Sequence, residues 1–458
     1  MMQKYLSRTI LVTAFALVAL PGGPAVANAA QQQGQPSYTM PEYNAYQACQ
    51  AEKDLTAKAK CLDGFTAQFP NSTLLQYVYQ IYYQTEYQLK NYPKAIEYAD
   101  KLVALGDKAD LGLRIQAVQA HVQLFGLAFD PKAADAQDQL TKERDASRLG
   151  VTLLTQYKNS PNSKLTDDQF KQAIALFSSA EGFADLQLKD NAAAVTAFKN
   201  ALANNPNDAV SEYRLGLAYL ALNPAQSLDG FWALARAVSL KVPDSDKIKD
   251  YLRRAILAYE QPGCDNQVDA QVNELLQLAA NSPDRPSTYT IPSQDDLTKI
   301  RQSSNIITVI GDLSAGGDKA KMTWLAICGA EFPEVVGKII DAQKSDAYVD
   351  FMVFTGATPD EMQSATMPNM DVKVWTSAPP ASATTPAAGA NGAAATPIPP
   401  QPDVVRLQKD DGIRFSGTLA SYDPSPFLLH WDQVKVDPSI IPEKSEAGKH
   451  THKIPPKQ

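Results

Sequence analysis

The sequence predicts an α+β chain in two parts: an N-terminal α-α solenoid of about six helix pairs, then a small C-terminal β domain of about five strands. Three observations predict it. Gly182, Ala194, Phe198, Ala201 and Pro206 form one set, and Leu215, Gly216 and Tyr219 begin the next in register, with Gly182 and Gly216 34 residues apart. That is the period at which one pair of helices stacks on the next. Beyond Glu334 the pattern changes to alternation, as in Val349/Phe351/Val353 and Ile413/Phe415 against charged neighbours. Between the two patterns, residues 281–293 hold three prolines, a break that ends the helical series.

Residues 1–30 read as an export signal. Lys4 and Arg8 precede an apolar run from Ile10 to Leu20, and small residues follow that fit cleavage after Ala27 or Ala29. The run is shorter than the roughly 20 apolar residues of a membrane anchor. The reading is an exported protein, periplasmic or secreted, with no membrane span once mature. Lys4 and Arg8 leave with the signal, taking the net charge from −8 to −10. An acidic chain with scattered charge argues against nucleic acid as a partner.

Residues 31–40 form a polar leader. The first helix pair is then expected at 42–53 and 57–69, stopped by Pro70. Cys49 and Cys61 both lie six residues from Leu55, so two helices turning there bring them face to face. In one continuous helix they would sit about 18 Å apart, too far to bond. A disulfide between them is the reading, because an exported chain permits one. Whether Cys264 and Cys328 pair is left open by their spacing.

The second pair is expected at 73–90 and from Pro93 onward, its first helix rich in tyrosine and its second burying Ala95, Ile96, Ala99 and Leu102. The third is a long helix at 108–129 and another opening at Asp130-Pro131. Then come 166–188 with 191–203, 208–222 with 226–240, and 246–260 with 265–280. A solenoid of residues 41–283 results, followed by a connector, 284–333, in which one helix runs from Ser293 to 312. Residues 314–317 make a turn and 322–328 read as strand or helix.

Strands are expected at 335–342, 348–355, 371–376, 412–422 and 427–436, within a β domain of residues 334–440. A short helix at 359–367 follows the second strand. Between the third and fourth, residues 378–402 hold 9 Ala and 7 Pro in 25 positions with no charge, the composition of a disordered insertion. Residues 441–458 read as a disordered tail.

The helical units resemble the tetratricopeptide repeat family. The stretch from Gly182 to Pro206 matches its small residue in the first helix, its Ala-x3-Phe-x2-Ala in the second, and its closing proline. The next unit keeps Leu215-Gly216 and Tyr219 and then departs, while the tyrosine-rich unit keeps Ala95 but has Tyr83 in the small-residue place. The β part resembles a small barrel of the oligonucleotide/oligosaccharide-binding type, through its strand count and the run DGIRFSGTL. In the tetratricopeptide family the first helix of each pair lines a concave groove. The resemblance therefore implies a partner-binding groove at Tyr77, Gln80, Gln84, Tyr87 and Gln88, continued by Ser179, Phe183, Tyr213 and Leu217. It implies a scaffold or adaptor that binds a protein or peptide there. The alternative is a ligand- or envelope-polymer-binding protein acting through the β domain, where Trp375, Phe415, Phe427 and Trp431 offer aromatic faces.

Nothing points to an enzyme, a cofactor or a metal. The GDLSAGGDK run lacks the Lys-Ser/Thr that a phosphate loop needs after its last glycine, so it reads as a turn. Cys-x-x-Cys, His-Glu-x-x-His and Gly-x-Ser-x-Gly do not occur. His121 lies among Val118, Val122 and Phe125, the setting of a hydrogen-bonded structural histidine.

Overall fold

Apolar residues recurring every three to four positions give the first helices a stripe each, and these stripes pack together in one core. A computed structural model describes residues 37–161, 163–260, 265–378 and 398–443. Residues 1–30, read from the sequence as an export signal, leader residues 31–36, insertion residues 379–397 and tail residues 444–458 lie outside the described residues. The described part is helical first and ends in a closed five-stranded β-barrel.

Twelve described helices precede the proline-rich break: α1 (Met40–Ala51), α2 (Leu55–Gln68), α3 (Leu75–Gln88), α4 (Tyr92–Ala104), α5 (Leu111–Ala128), α6 (Ala136–Lys158), α7 (Asp167–Gln187), α8 (Asn191–Asn204), α9 (Ala209–Leu220), α10 (Ser227–Ser239), α11 (Ser245–Glu260) and α12 (Asp265–Asn281). Many begin on a side chain that accepts from an otherwise unpaired backbone N–H. Asp54, Asp110, Asp190 and Asp208 do this for α2, α5, α8 and α9, while Thr39 and Thr166 form reciprocal capping boxes for α1 and α7. Two expected starts move for this reason. α5 begins after its Asp110 cap, and α6 begins at Ala136 because the Asp130 carboxylate accepts from Lys132 N at 3.0 Å and holds a turn there.

Three of the turns that end these helices share a device that the sequence pattern did not reveal. Lys90, Lys189 and Lys241 follow α3, α7 and α10 with φ of 60°, 69° and 60°. In each turn the next residue's N–H donates back to a carbonyl five residues earlier: Asn91 to Glu86, Asp190 to Asp185, and Val242 to Ala237, at 2.9, 2.9 and 3.1 Å. This is the left-handed helix stop usually given to glycine.

Close helix approach is built on missing side chains. A Cβ on Gly182 would lie 2.8 Å from the Phe198 ring, and one on Gly150 2.7 Å from Phe177. Gly216 of α9 and Gly230 of α10 face each other, so that a Cβ on either meets the other's carbonyl oxygen, at 3.0 and 3.2 Å. Tyr83, in the corresponding place of the second pair, is instead a buried ring. The disulfide joins Cys49 of α1 to Cys61 of α2, with Cα atoms 5.3 Å apart. Cys328 is disulfide-bonded too, and Cys264 lies outside the described residues.

The chain divides into two compact units: Met1–Lys249 with Leu276–Arg285, and Asp250–Leu275 with Pro286–Gln458. In the first unit the end of α12 and the residues after it are held by α10. Arg236 Nη1 donates to the carbonyls of Ala279 and Ala280 at 3.0 and 3.3 Å, Trp232 Nε1 donates to Pro283 O at 3.3 Å, and Arg285 pairs with Asp229 at 2.9 Å.

In the second unit the stretch read as a connector contains three helices, α13 (Gln294–Ser303), α14 (Ile306–Ala315) and α15 (Gly317–Ile327). The single helix expected from Ser293 breaks at Asn305, whose side chain caps a new helix through Thr308 N at 2.9 Å. The GDLSAGGDK run is the α14–α15 turn, with Gly316 and Gly317 both at φ 70° and Lys319 paired with Asp312 at 2.6 Å. Leu297, Ile306, Val309, Leu313 and Trp324 enter the same apolar core as the barrel.

That barrel comprises β1 (Glu331–Lys344), β2 (Tyr348–Phe354), β3 (Met370–Trp375), β4 (Gly412–Pro424) and β5 (Phe427–Val436), with a short helix α16 (Pro359–Ser364) after β2. The strand order is β1-β2-β3-β5-β4, closed by β4 on β1; all pairings are antiparallel except β3–β5. Inward residues alternate along each strand, as period two requires. Val349, Phe351 and Val353 of β2 meet Val372 and Val374 of β3, Phe415 of β4 and Trp431 of β5 in the interior.

Gly216→Ala should lower the stability of the chain by about 1–3 kcal/mol, because the methyl group has to displace Leu234 or the α10 backbone. Gly64→Ala, in α2 where no atom lies within 4 Å of the new Cβ, should raise it by about 0.5–1 kcal/mol. Urea melts of the two variants against the parent chain check the pair.

Candidate functional site

The residues singled out in the tyrosine-rich helix divide between two faces of α3. Val78, Tyr82, Tyr83, Thr85 and Glu86 are buried. Tyr82 stacks on Tyr98 with centroids 3.5 Å apart, its hydroxyl donates to Asp63, and Lys94 Nζ stands 5.1 Å above its ring. Burial pushes the Tyr83 phenol up to about 12. These rings hold the fold. Tyr77, Gln80, Gln84, Tyr87 and Gln88 lie on the opposite stripe, with Gln84 and Gln88 exposed and the other three half-buried. Tyr87 also lies beside Tyr92, with ring centroids 6.3 Å apart.

Side chains from neighbouring first-of-pair helices continue that stripe. On one side Tyr77 meets Tyr46 of α1 at 6.4 Å between centroids, and Tyr38 stacks on Tyr43 at 5.4 Å. On the other side Gln76 Oε1 accepts from the Asp110 N–H at 2.8 Å, and Gln80 Nε2 donates to Gln116 Oε1 of α5 at 3.2 Å. Burial, with Asp110 nearby, raises the Tyr77 pKa.

Farther along, α7 and α9 are joined by Ser179 and Ser211, hydroxyl to hydroxyl at 2.9 Å. Tyr213 is half-buried, but Phe183 and Leu217 are core residues. Phe183 packs with Phe125 and Leu140, and the Arg214 guanidinium lies 4.6 Å from its centroid. Its expected place in a groove is therefore corrected: an apolar ring there gains more from neighbouring helices than from solvent.

Sequence reading also missed the partners of two histidines, because they come from distant elements. His121 is buried with Nδ1 2.6 Å from Asp100 of α4 and Nε2 3.3 Å from Glu143 of α6. Burial works to lower its pKa, but the hydrogen bonds and charges of the two carboxylates outweigh this and raise it to about 9. Burial raises that of Glu143, against the pull of His121. The cluster ties three helices together.

The second histidine lies on the outer face of the barrel. His430 Nδ1 is 3.1 Å from Asp371 of β3 and Nε2 is 3.0 Å from Asp423 of β4. Asp350 of β2 sits diagonal to Asp371, whose direct partner across that pairing is Met352. Asp350 Oδ1 and Asp371 Oδ1 are each buried without a donor, an arrangement that one shared proton satisfies. Burial, then the hydrogen bond to Asp371 and its charge, raise Asp350 to about 6. Beside this cluster Tyr348 and Trp375 meet edge to face at 5.4 Å, with Lys373 Nζ 4.8 Å from the Tyr348 centroid. Of the aromatic residues read from the sequence, Phe415 and Trp431 fill the interior and Phe427 is half-buried against Tyr422.

Among the described residues no group of three or more His, Cys, Asp or Glu is placed to hold a metal, and no helix is long and apolar enough to cross a membrane. No family model matches the chain, and no curated protein matches it.

Two titrations follow. The folded-state pKa of His121 lies above the ordinary 6.5, so its contribution is full below pH 6.5 and is lost as the pH rises through about 9. His121→Leu should cost about 3–5 kcal/mol at pH 6.5 by stranding buried Glu143, with the gap to the parent narrowing toward pH 9 in urea melts. Asp350 has the same sign: its protonated form is favoured on folding, so stability falls as the pH rises from 3.8 through about 6. Asp350→Asn should match the parent near pH 4 and exceed it by about 1 kcal/mol at pH 8, a figure reduced for solvent screening.

Proposed function

We propose that the chain is an exported protein-interaction scaffold or adaptor of the cell envelope, whose tetratricopeptide-like helical unit binds a protein or peptide. The observation that carries this reading is α3. One of its stripes holds the fold, while the other presents Tyr77, Gln80, Gln84, Tyr87 and Gln88 at the surface without a charged group among them. Tyrosine beside a carboxamide suits recognition, since the ring supplies area with little rotamer entropy and the amide supplies both donor and acceptor. The Cys49–Cys61 disulfide supports an oxidising compartment, in line with the export signal read from the sequence.

A second reading places ligand or envelope-polymer binding on the barrel. The outward Tyr348–Trp375 pair beside Asp350, Asp371 and His430 favours it, because ring faces next to carboxylates suit a polyhydroxylated ligand. The strand order, with β3 parallel to β5, supports the resemblance to oligosaccharide-binding barrels.

Photoreactive side chains at Gln84 and at Lys199, an exposed residue of α8, test the first reading in living cells. Discrete crosslinked products from position 84 alone are expected, with Tyr87→Ala weakening capture about thirtyfold, the loss of a 2 kcal/mol anchor. Products that are the same from both positions, or from neither, reject the groove.

A further inference from the structure

The glutamines of α3 are spaced for a polypeptide main chain. Gln76, Gln80, Gln84 and Gln88 recur every fourth residue. At about 1.5 Å of rise per residue, each step is about 6 Å. An extended chain turns the same edge outward every second residue, about 6.6–6.8 Å apart. Over three steps the helix advances about 18 Å and the strand about 20 Å, a mismatch within the reach of a glutamine side chain. The ridge is inclined about 26° to the helix axis, so the strand would cross α3 obliquely.

The hydrogen bonds already made set the polarity of two rungs. Gln76 spends its oxygen on the Asp110 N–H, which turns its Nε2 donor to other partners. Gln80 uses one Nε2 hydrogen on Gln116, which turns its Oε1 acceptor to other partners. A donor followed by an acceptor is what an extended edge meets with a carbonyl and then an N–H. Gln84 and Gln88, both exposed, complete the ladder.

The charge of the stripe narrows the occupant. Glu86 is the one acidic or basic residue of α3, and it is buried on the other face, where it pairs with Lys94 at 3.3 Å. The stripe itself carries no charge to compensate the desolvation of a charged side chain, and the nearby Asp110 stands at its Gln76–Tyr77 end. We infer that, given the binding role proposed above, this row takes an extended, uncharged polypeptide segment read through its main-chain amides, with Tyr77 and Tyr87 covering its side chains.

Fluorescence anisotropy with the full chain and synthetic peptides of about eight residues, long enough to span the ladder, tests this. One peptide is built from Ala, Ser and Thr; a second has two of its residues changed to Asp, a third has two changed to Lys, and a fourth is N-methylated at every residue, so that neither edge keeps its N–H groups. The neutral peptide should bind, each of the other three should bind at least tenfold more weakly, and Gln84→Leu with Gln88→Leu should weaken the neutral peptide at least tenfold. Both residues are exposed, and an unchanged thermal melt establishes that the double variant is folded. If a charged peptide binds as well as the neutral one and is lost in the double variant, or if N-methylation has no effect, the main-chain inference falls and the groove stands. If no peptide responds to the double variant while crosslinks from position 84 persist, the inference again falls alone. If both are absent, the two fall together.

Discussion

How closely two helix backbones can approach governs the helical unit. A helix with one apolar stripe gains stability when that stripe is covered, and the gain depends on contact at van der Waals distance. Gly150, Gly182, Gly216 and Gly230 leave no room for a Cβ, and large side chains of the neighbouring helices fill the space: Phe177, Phe198, Leu234 and Leu220. The buried alanines of α8, Ala194, Ala197 and Ala201, serve the same end. Once these contacts are made on one side of each helix, the opposite stripe of α3 is only partly covered by its neighbours and keeps Gln84 and Gln88 exposed.

Polar groups inside the unit act as fasteners between helices that apolar contacts alone would leave free to slide. His121 ties α5 to α4 and α6. Arg236 reaches the last carbonyls of α12, groups that a helix end leaves without intrahelical partners. Its neighbour Glu212 is buried at 3.9 Å and held up to about 8 by that burial, with Arg236 pulling the other way. These clusters have demanding geometry: removing one member strands a buried charge. The charged cluster on the barrel differs, because it lies at the β3–β5 pairing and is partly open to solvent.

The barrel rests on a different constraint. With strands closed on themselves no edge is left to pair, and the interior is filled from every strand. Gly337 lets β1 pass close to Val353 and Phe354 of β2, where a Cβ would lie 2.5 and 2.8 Å from them. Three helices before β1 add their apolar residues to this core, so the segment preceding the barrel belongs to the same packed body as the strands.

The sequence by itself determined the local elements. Period, caps and glycine–proline punctuation placed all five strands and most helices of the first unit to within a few residues, α6 starting later than expected, and the spacing of Cys49 and Cys61 identified their bond, because each depends on near neighbours in the chain. It also identified α3 as the helix with surplus tyrosine, though not which rings are structural. Only tertiary structure decided that Tyr82 and Phe183 are core while Gln84 and Gln88 are surface, and that Trp431 faces inward. Likewise Asp100 and Glu143 reach His121 from other helices, and Asp371 and Asp423 reach His430 from other strands. Such pairings depend on which distant segments pack together, and neither charge nor periodicity along the chain records that.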